Sequence, residues 1–136
     1  MAGVTEPWPE HPNATAYRDA AAAFRAGDIS RIEALIDDEV VWHIPGDHPM
    51  AGDVTGVAAL MSFLARLGDI GFTLQEHDVF GSDAHVCALS EMGATRPGTD
   101  VSTRVVSVFH FREGRQVERW IYPEDMTAWN SIFDST

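Results

Sequence analysis

Apolar residues recur at helical spacing in the first half of the chain and at alternating spacing in the second. From Asn13, a good N-cap, Tyr17, Ala20, Ala21 and Phe24 fall on one side of a helix that Gly27 ends. Ser30 and Glu33 form a capping-box pattern opening a second, short helix with Ile32, Leu35 and Ile36 on its apolar side. Residues 40–44 read as a strand stopped by Pro45-Gly46. A loop over 47–53 then leads to a third helix starting near Thr55, with Val57, Leu60, Met61 and Leu64 on one side. After Gly68 the period changes to two, and strands are predicted over 72–80, 85–95, 101–111 and 116–122. Turn residues separate them at Gly81-Ser82-Asp83, Pro97-Gly98 and Glu113-Gly114, which predicts an antiparallel meander. Asp125 is placed to cap a terminal helix carrying Met126, Trp129, Ile132 and Phe133.

Helices grouped early and strands grouped late define the α+β class. A length of 136 residues without an internal composition shift fits one domain, here 13–136, preceded by a flexible segment over 1–12. With 45% apolar residues the chain can bury a sizeable core. No apolar run approaches the ~20 residues of a membrane span, and no basic stretch followed by an apolar one marks a signal peptide, so a cytoplasmic protein without a membrane partner is expected. The formal charge of −12 repels phosphate backbones and argues against nucleic acid. The lone Cys87 sits in an alternating strand context that reads as a buried, inert thiol. His43 and His48 are spaced unlike any common zinc motif, so no metal site is expected.

The candidate chemistry lies in the last third. His110, inside Phe109-His110-Phe111, and the carboxylates of Glu124 and Asp125 after the final strand can come close to one another inside an apolar sheet. A carboxylate in an apolar pocket has its pKa raised toward neutrality, which suits it to take a proton next to a carbonyl. A histidine or arginine beside it can hold the developing enolate oxygen. Arg104 shares a strand face with Val106, Val108 and His110 and is a candidate for that role. His43 and Trp42 alternate, so one faces the pocket, and His43, just before Pro45-Gly46, is taken as its polar residue. Tyr17, Trp42, Met61, Phe63, Trp120 and Tyr122 are candidate wall or core residues, and His48 lies in a loop that gates access. Each polar candidate also has a purely structural reading: Asp125 as a helix cap, His110 as a satisfied sheet residue, and Arg104 as a cross-strand partner of Glu91 or Glu118.

Phe24-Arg25-Ala26-Gly27-Asp28, followed by Leu35-Ile36-Asp37-Asp38-Glu39-Val40-Val41-Trp42, resembles the opening of SnoaL-like proteins of the NTF2-like superfamily. His43-Ile44-Pro45-Gly46 through Pro49-Met50-Ala51-Gly52 and Gly56 is similar to their strand-loop-helix segment. The resemblance spans about residues 13 to 133. It implies a curved, cone-like sheet wrapped on helices around an apolar pocket, no cofactor, and a homodimer formed through the outer face of the sheet. Apolar residues on both faces of 101–111 agree with the last point.

Ketosteroid isomerases of the superfamily carry a helix tyrosine where Ala20 stands here and an aspartate base where Ile44 stands, which counts against steroid isomerisation. Epoxide hydrolases need an Asp-Arg-Asp set that Glu118-Arg119-Trp120-Ile121-Tyr122 does not supply. Polyketide cyclases of the SnoaL type place a histidine and an aspartate in positions similar to His110 and Asp125, with an offset here one residue longer than the family pattern and Glu124 one residue nearer. Two functions follow as expectations: a cofactor-independent cyclase- or isomerase-like enzyme acting on an apolar carbonyl compound, or a binding protein for a small hydrophobic molecule. A carboxylate exposed to the cavity separates the two.

Overall fold

The computed structural model describes residues 9–134. Of the segment expected to be flexible, residues 1–8 lie outside the described residues, while His11 and Pro12 begin the first helix, α1 (Pro12–Ala26). His11 rather than Asn13 is the N-cap. Its Nδ1 accepts from the Asn13 N–H at 3.0 Å, and Pro12 occupies the first turn, where a missing N–H costs nothing. Asn13 is buried instead, its amide donating to the carbonyls of Ser82 and Asp83. Asp28, not Ser30, caps α2 (Ile29–Leu35) through the Arg31 N–H.

Ile36 ends that helix and begins β1 (Ile36–Ile44), four residues earlier than the apolar run suggests. The loop expected after it contains a short edge strand, β2 (Gly52–Thr55), antiparallel to β1. Helix α3 (Val57–Asp69) follows, capped by Gly56 without a side-chain bond. The meander expected after Gly68 is present as β3 (Phe72–Gly81), β4 (His85–Arg96), β5 (Thr99–Arg112) and β6 (Arg115–Pro123). Glu113 and Gly114 both take positive φ, 53° and 78°, as a tight turn between β5 and β6 requires. The terminal helix α4 (Met126–Phe133) is capped by Asp125.

The six strands form one open, curved sheet in the order β2-β1-β6-β5-β4-β3, antiparallel except where β1 runs parallel to β6. Its inner face is read directly from burial. Val105, Ser107, Phe109 and Phe111 of β5 are buried and meet Val86, Ala88, Ser90, Met92 and Ala94 of β4 in one core with α1, α3 and α4. Gly93 lies against β5 so closely that an added Cβ would stand 2.2 Å from the Val101 carbonyl oxygen. The other face carries Arg104, Val106, Val108 and His110, with Val106 and Tyr122 exposed. Among the described residues, no helix is long and apolar enough to cross a membrane.

Candidate functional site

A cavity of about 190 Å³ opens between the inner face of the sheet and helices α1, α3 and α4. Trp42, with Gln116 and Arg119 in contact with it, lines the cavity together with Tyr17, Phe63 and Met92, and Phe24, Arg25, Leu67 and Leu74 also border it. Leu74 is half exposed and Arg25 exposed, which places the mouth between the end of α1 and the start of β3. Among the described residues, Arg25 and Arg119 are the charged lining residues, and no Asp, Glu or His lines the cavity.

Arg119 is in register with Trp42 of β1 on one side and Phe109 of β5 on the other. Its guanidinium carbon sits 4.3 Å from the Trp42 ring centroid and 4.7 Å from that of Phe109, so the cation is held between two aromatic faces. Nη2 donates to the Ser107 Oγ at 2.8 Å. Nε is enclosed and has no partner. Burial pulls the arginine pKa down from its usual value, yet a guanidinium stays protonated in proteins. Among the described residues no carboxylate forms an ion pair with it, although buried charges are ordinarily paired.

Neighbouring polar groups are fixed. The Trp42 Nε1–H donates to the Gln116 Oε1 at 2.6 Å, deep in the core. The Tyr17 hydroxyl donates to the Glu76 carboxylate at 2.5 Å, and its ring lies 4.7 Å from Phe109. Burial holds the Tyr17 phenol well above its ordinary pKa, opposed by Arg119 and reinforced by Glu76. Glu76 shares the inner face of β3 with Phe72 and Leu74 and is followed by a bulge. It pairs with Ser90 while Asp78 pairs with Leu89, so His77 is the extra residue at which β3 changes parity.

Of the residues expected at a site, Tyr17, Trp42 and Phe63 line the cavity. The five acid-base candidates do not line it. Asp125 caps α4, accepting from the Ala128 N–H at 3.0 Å. Glu124 and Arg104 form an exposed ion pair with each other, which holds Glu124 below and Arg104 above its usual pKa. His110 stacks on His85 of β4 at 5.4 Å, on the outer face. His43 is also on that face. It donates from Nδ1 to Asp53 at 2.8 Å and from Nε2 to Glu118 at 2.5 Å, and the Glu118 bond, then the Asp53 bond, raises its pKa.

Trp120 stacks on His43 rather than on the cavity, and Tyr122 is exposed beyond it. Met61 packs on the edge of the core. His48 accepts from the Met50 N–H and donates to the Pro45 carbonyl while stacking 4.2 Å from Phe133. It is a loop brace whose pKa burial pulls down. Arg119, Gln116 and Glu76 are the polar residues the sequence reading missed. The available signal was the parity of Arg119 and Ile121, register partners of Phe109 and Ser107 on the face of β5 that lacks charge.

A curved, helix-wrapped sheet around an apolar cavity is the architecture of NTF2-like proteins. The sequence model of the SnoaL-like domain matches residues 17–119, and the chain belongs to that family. Among solved structures, Bal32a from a soil-derived mobile gene cassette is similar with a TM-score of 0.79 at 28% identity, covering 90% of this chain and 96% of that one. TerC, co-crystallised with polyporic acid, gives 0.74 at 23% identity over 92% and 100%. An NTF2-like protein from Burkholderia xenovorans LB400 gives 0.73 at 20% identity over 94% and 100%. No curated protein matches the chain in sequence.

Proposed function

We propose that this protein binds a small, apolar, weakly acidic molecule and holds it as its anion on Arg119. The observation that carries this reading is the buried guanidinium at the edge of an otherwise apolar cavity, with an unpartnered Nε and, among the described residues, no direct ion pair, Glu76 acting on it only from behind the Tyr17 hydroxyl. An anionic oxygen beside Arg119 would supply a direct counter-charge in a setting where such pairs are worth most. Size narrows the ligand. An apolar cavity of roughly 150 Å³ holds benzene, so about 190 Å³ suits one ring with a short substituent rather than a fused polycycle. The co-crystal of TerC with an organic acid supports the reading by example.

Binding takes precedence over catalysis because the expected acid-base carboxylates face solvent or cap a helix, and among the described residues no carboxylate or imidazole lines the cavity. One observation favours a second reading, acid-base catalysis on the bound molecule. The Tyr17 hydroxyl lines the cavity wall and is hydrogen-bonded to Glu76, which could receive a proton through it. Solvent deuterium entering a bound ketone, and not entering it with Glu76→Gln, would bring that reading forward.

The test of the first reading is a spectrophotometric titration with 4-nitrophenol below its pKa. The expected result is that the bound fraction carries the visible absorption of the phenolate and that Arg119→Met abolishes it. Equal binding of the neutral phenol by both proteins would overturn the proposal.

A further inference from the structure

The chain holds 21 acidic and 9 basic residues, yet the charged side chains lining its cavity are two arginines, one enclosed and one exposed. Arg25 stands in the last turn of α1 and forms no ion pair among the described residues. The lining between it and Arg119 is dominated by apolar side chains, among them Phe24, Leu67 and Phe72. We infer that the ligand carries two acidic oxygens at opposite ends of an apolar body: a weakly acidic hydroxyl held by Arg119, and a carboxylate at the mouth held by Arg25. This rests on the reading proposed above and adds a second recognition point to it.

The order of the two ends follows from desolvation. A carboxylate is ionised at neutral pH, and moving it through an apolar cavity without water is costly. A phenol or enol enters neutral at little cost and ionises only beside the buried guanidinium. The net charge of −12 acts in the same direction, since its field opposes an anion approaching from solution except where a cation stands at the entrance. Arg25 is such a cation. Its placement near the helix C-terminus also favours α1 through the helix dipole, so the test needs a readout that a purely helical role would leave still.

4-Hydroxycinnamate and its methyl ester differ in the carboxylate charge and one methyl group, whose apolar contribution is the same in every Arg25 variant, and both fit one ring plus a short chain. Calorimetric titration of the full chain is expected to show the acid binding roughly fivefold tighter than the ester at low salt, near the ceiling for an exposed ion pair. That advantage should disappear at high salt, because a mouth exposed to solvent is screened. It should vanish in Arg25→Gln, return in Arg25→Lys and invert in Arg25→Glu, while continued binding of the ester reports an intact cavity. An acid-to-ester ratio unchanged by both Arg25→Gln and Arg25→Glu would overturn the mouth assignment alone. If neither compound responds to Arg119→Met, the function proposed above falls, and this inference falls with it.

Discussion

Trp42 and Arg119 are register partners in the one parallel pair of the sheet, and the guanidinium carbon of Arg119 stands over the indole, 4.3 Å from the ring centroid. The contact joins strand pairing to ligand binding, because the same pairing that aligns β1 with β6 also sets the cation at the cavity. Arg119→Met removes a buried charge that lacks a carboxylate partner and replaces it with an apolar chain of similar volume. Such replacements are commonly neutral or stabilising. The melting temperature is therefore expected to hold or rise while phenolate affinity drops on the order of 100-fold, the range for truncating one side of a buried charge pair. Arg119→Lys keeps the charge without the planar fork and should fall between the two. Parallel losses of stability and affinity in Arg119→Met would argue that the arginine only braces the sheet.

Gln116 supplies the acceptor for the Trp42 indole N–H, and both side chains are buried. Gln116→Leu leaves that donor unsatisfied in the core, at a cost of about 1–3 kcal/mol. A urea midpoint lowered accordingly with an unchanged slope is the expected result. Gln116→Glu presents an acceptor again and should recover part of the loss above the carboxyl pKa, though it introduces a charge that Arg119 can meet.

How much of this was legible follows from parity. The alternating runs predicted the meander and its turns, and the Asp125 cap was read correctly from its place before an apolar helical pattern. The face of β5 was not. Arg104, Val106, Val108 and His110 share one face, as the sequence reading held, but it is the outer one, and Val105, Ser107, Phe109 and Phe111 point inward. Trp120 and Tyr122 drew attention inward by their size, whereas Arg119 and Ile121 occupy that side. Bulges at His77 and between β5 and β6 near Phe111 shift the period, and nothing in local composition marks them. The edge strand β2 pairs with β1 only through the chain's return past Met50, a tertiary contact without a sequence pattern of its own.

Asp125 gives a prediction that separates a cap from a catalytic base. Its carboxylate satisfies the Ala128 N–H at the start of α4, whose Trp129 and Phe133 line the cavity. Asp125→Ala should cost about 1 kcal/mol of stability. Asp125→Asn and Asp125→Ser, which keep a capping oxygen, should restore most of it. Ligand affinity in all three should follow stability alone. Loss of a measured activity in Asp125→Asn with stability intact would return this residue to the list of acid-base candidates.

His43 of β1 bridges the two strands that flank its own, bound on one side to Glu118 of β6 and on the other to Asp53 of β2. Glu118 first and Asp53 second hold its folded pKa above the ordinary imidazole value. A group whose pKa is higher in the folded state stabilises the fold when protonated. The contribution is therefore complete below the unfolded pKa, about 6.5, and is lost as pH rises through the higher folded value. One third of the side chain is exposed, and solvent screening limits the effect to about 1 kcal/mol or less. The whole chain also becomes more anionic as pH rises, which weakens every variant alike. The quantity to measure is thus the difference in urea midpoint between wild type and His43→Gln. It should favour wild type at pH 6, shrink as pH rises through the raised folded pKa and level off once the imidazole is neutral. NMR titration of His43 should return a pKa above that of a model imidazole, and lower in Glu118→Gln than in Asp53→Asn. A stability difference that grows with pH would show the bridge to be held by the neutral ring, with the carboxylates contributing nothing to the charge.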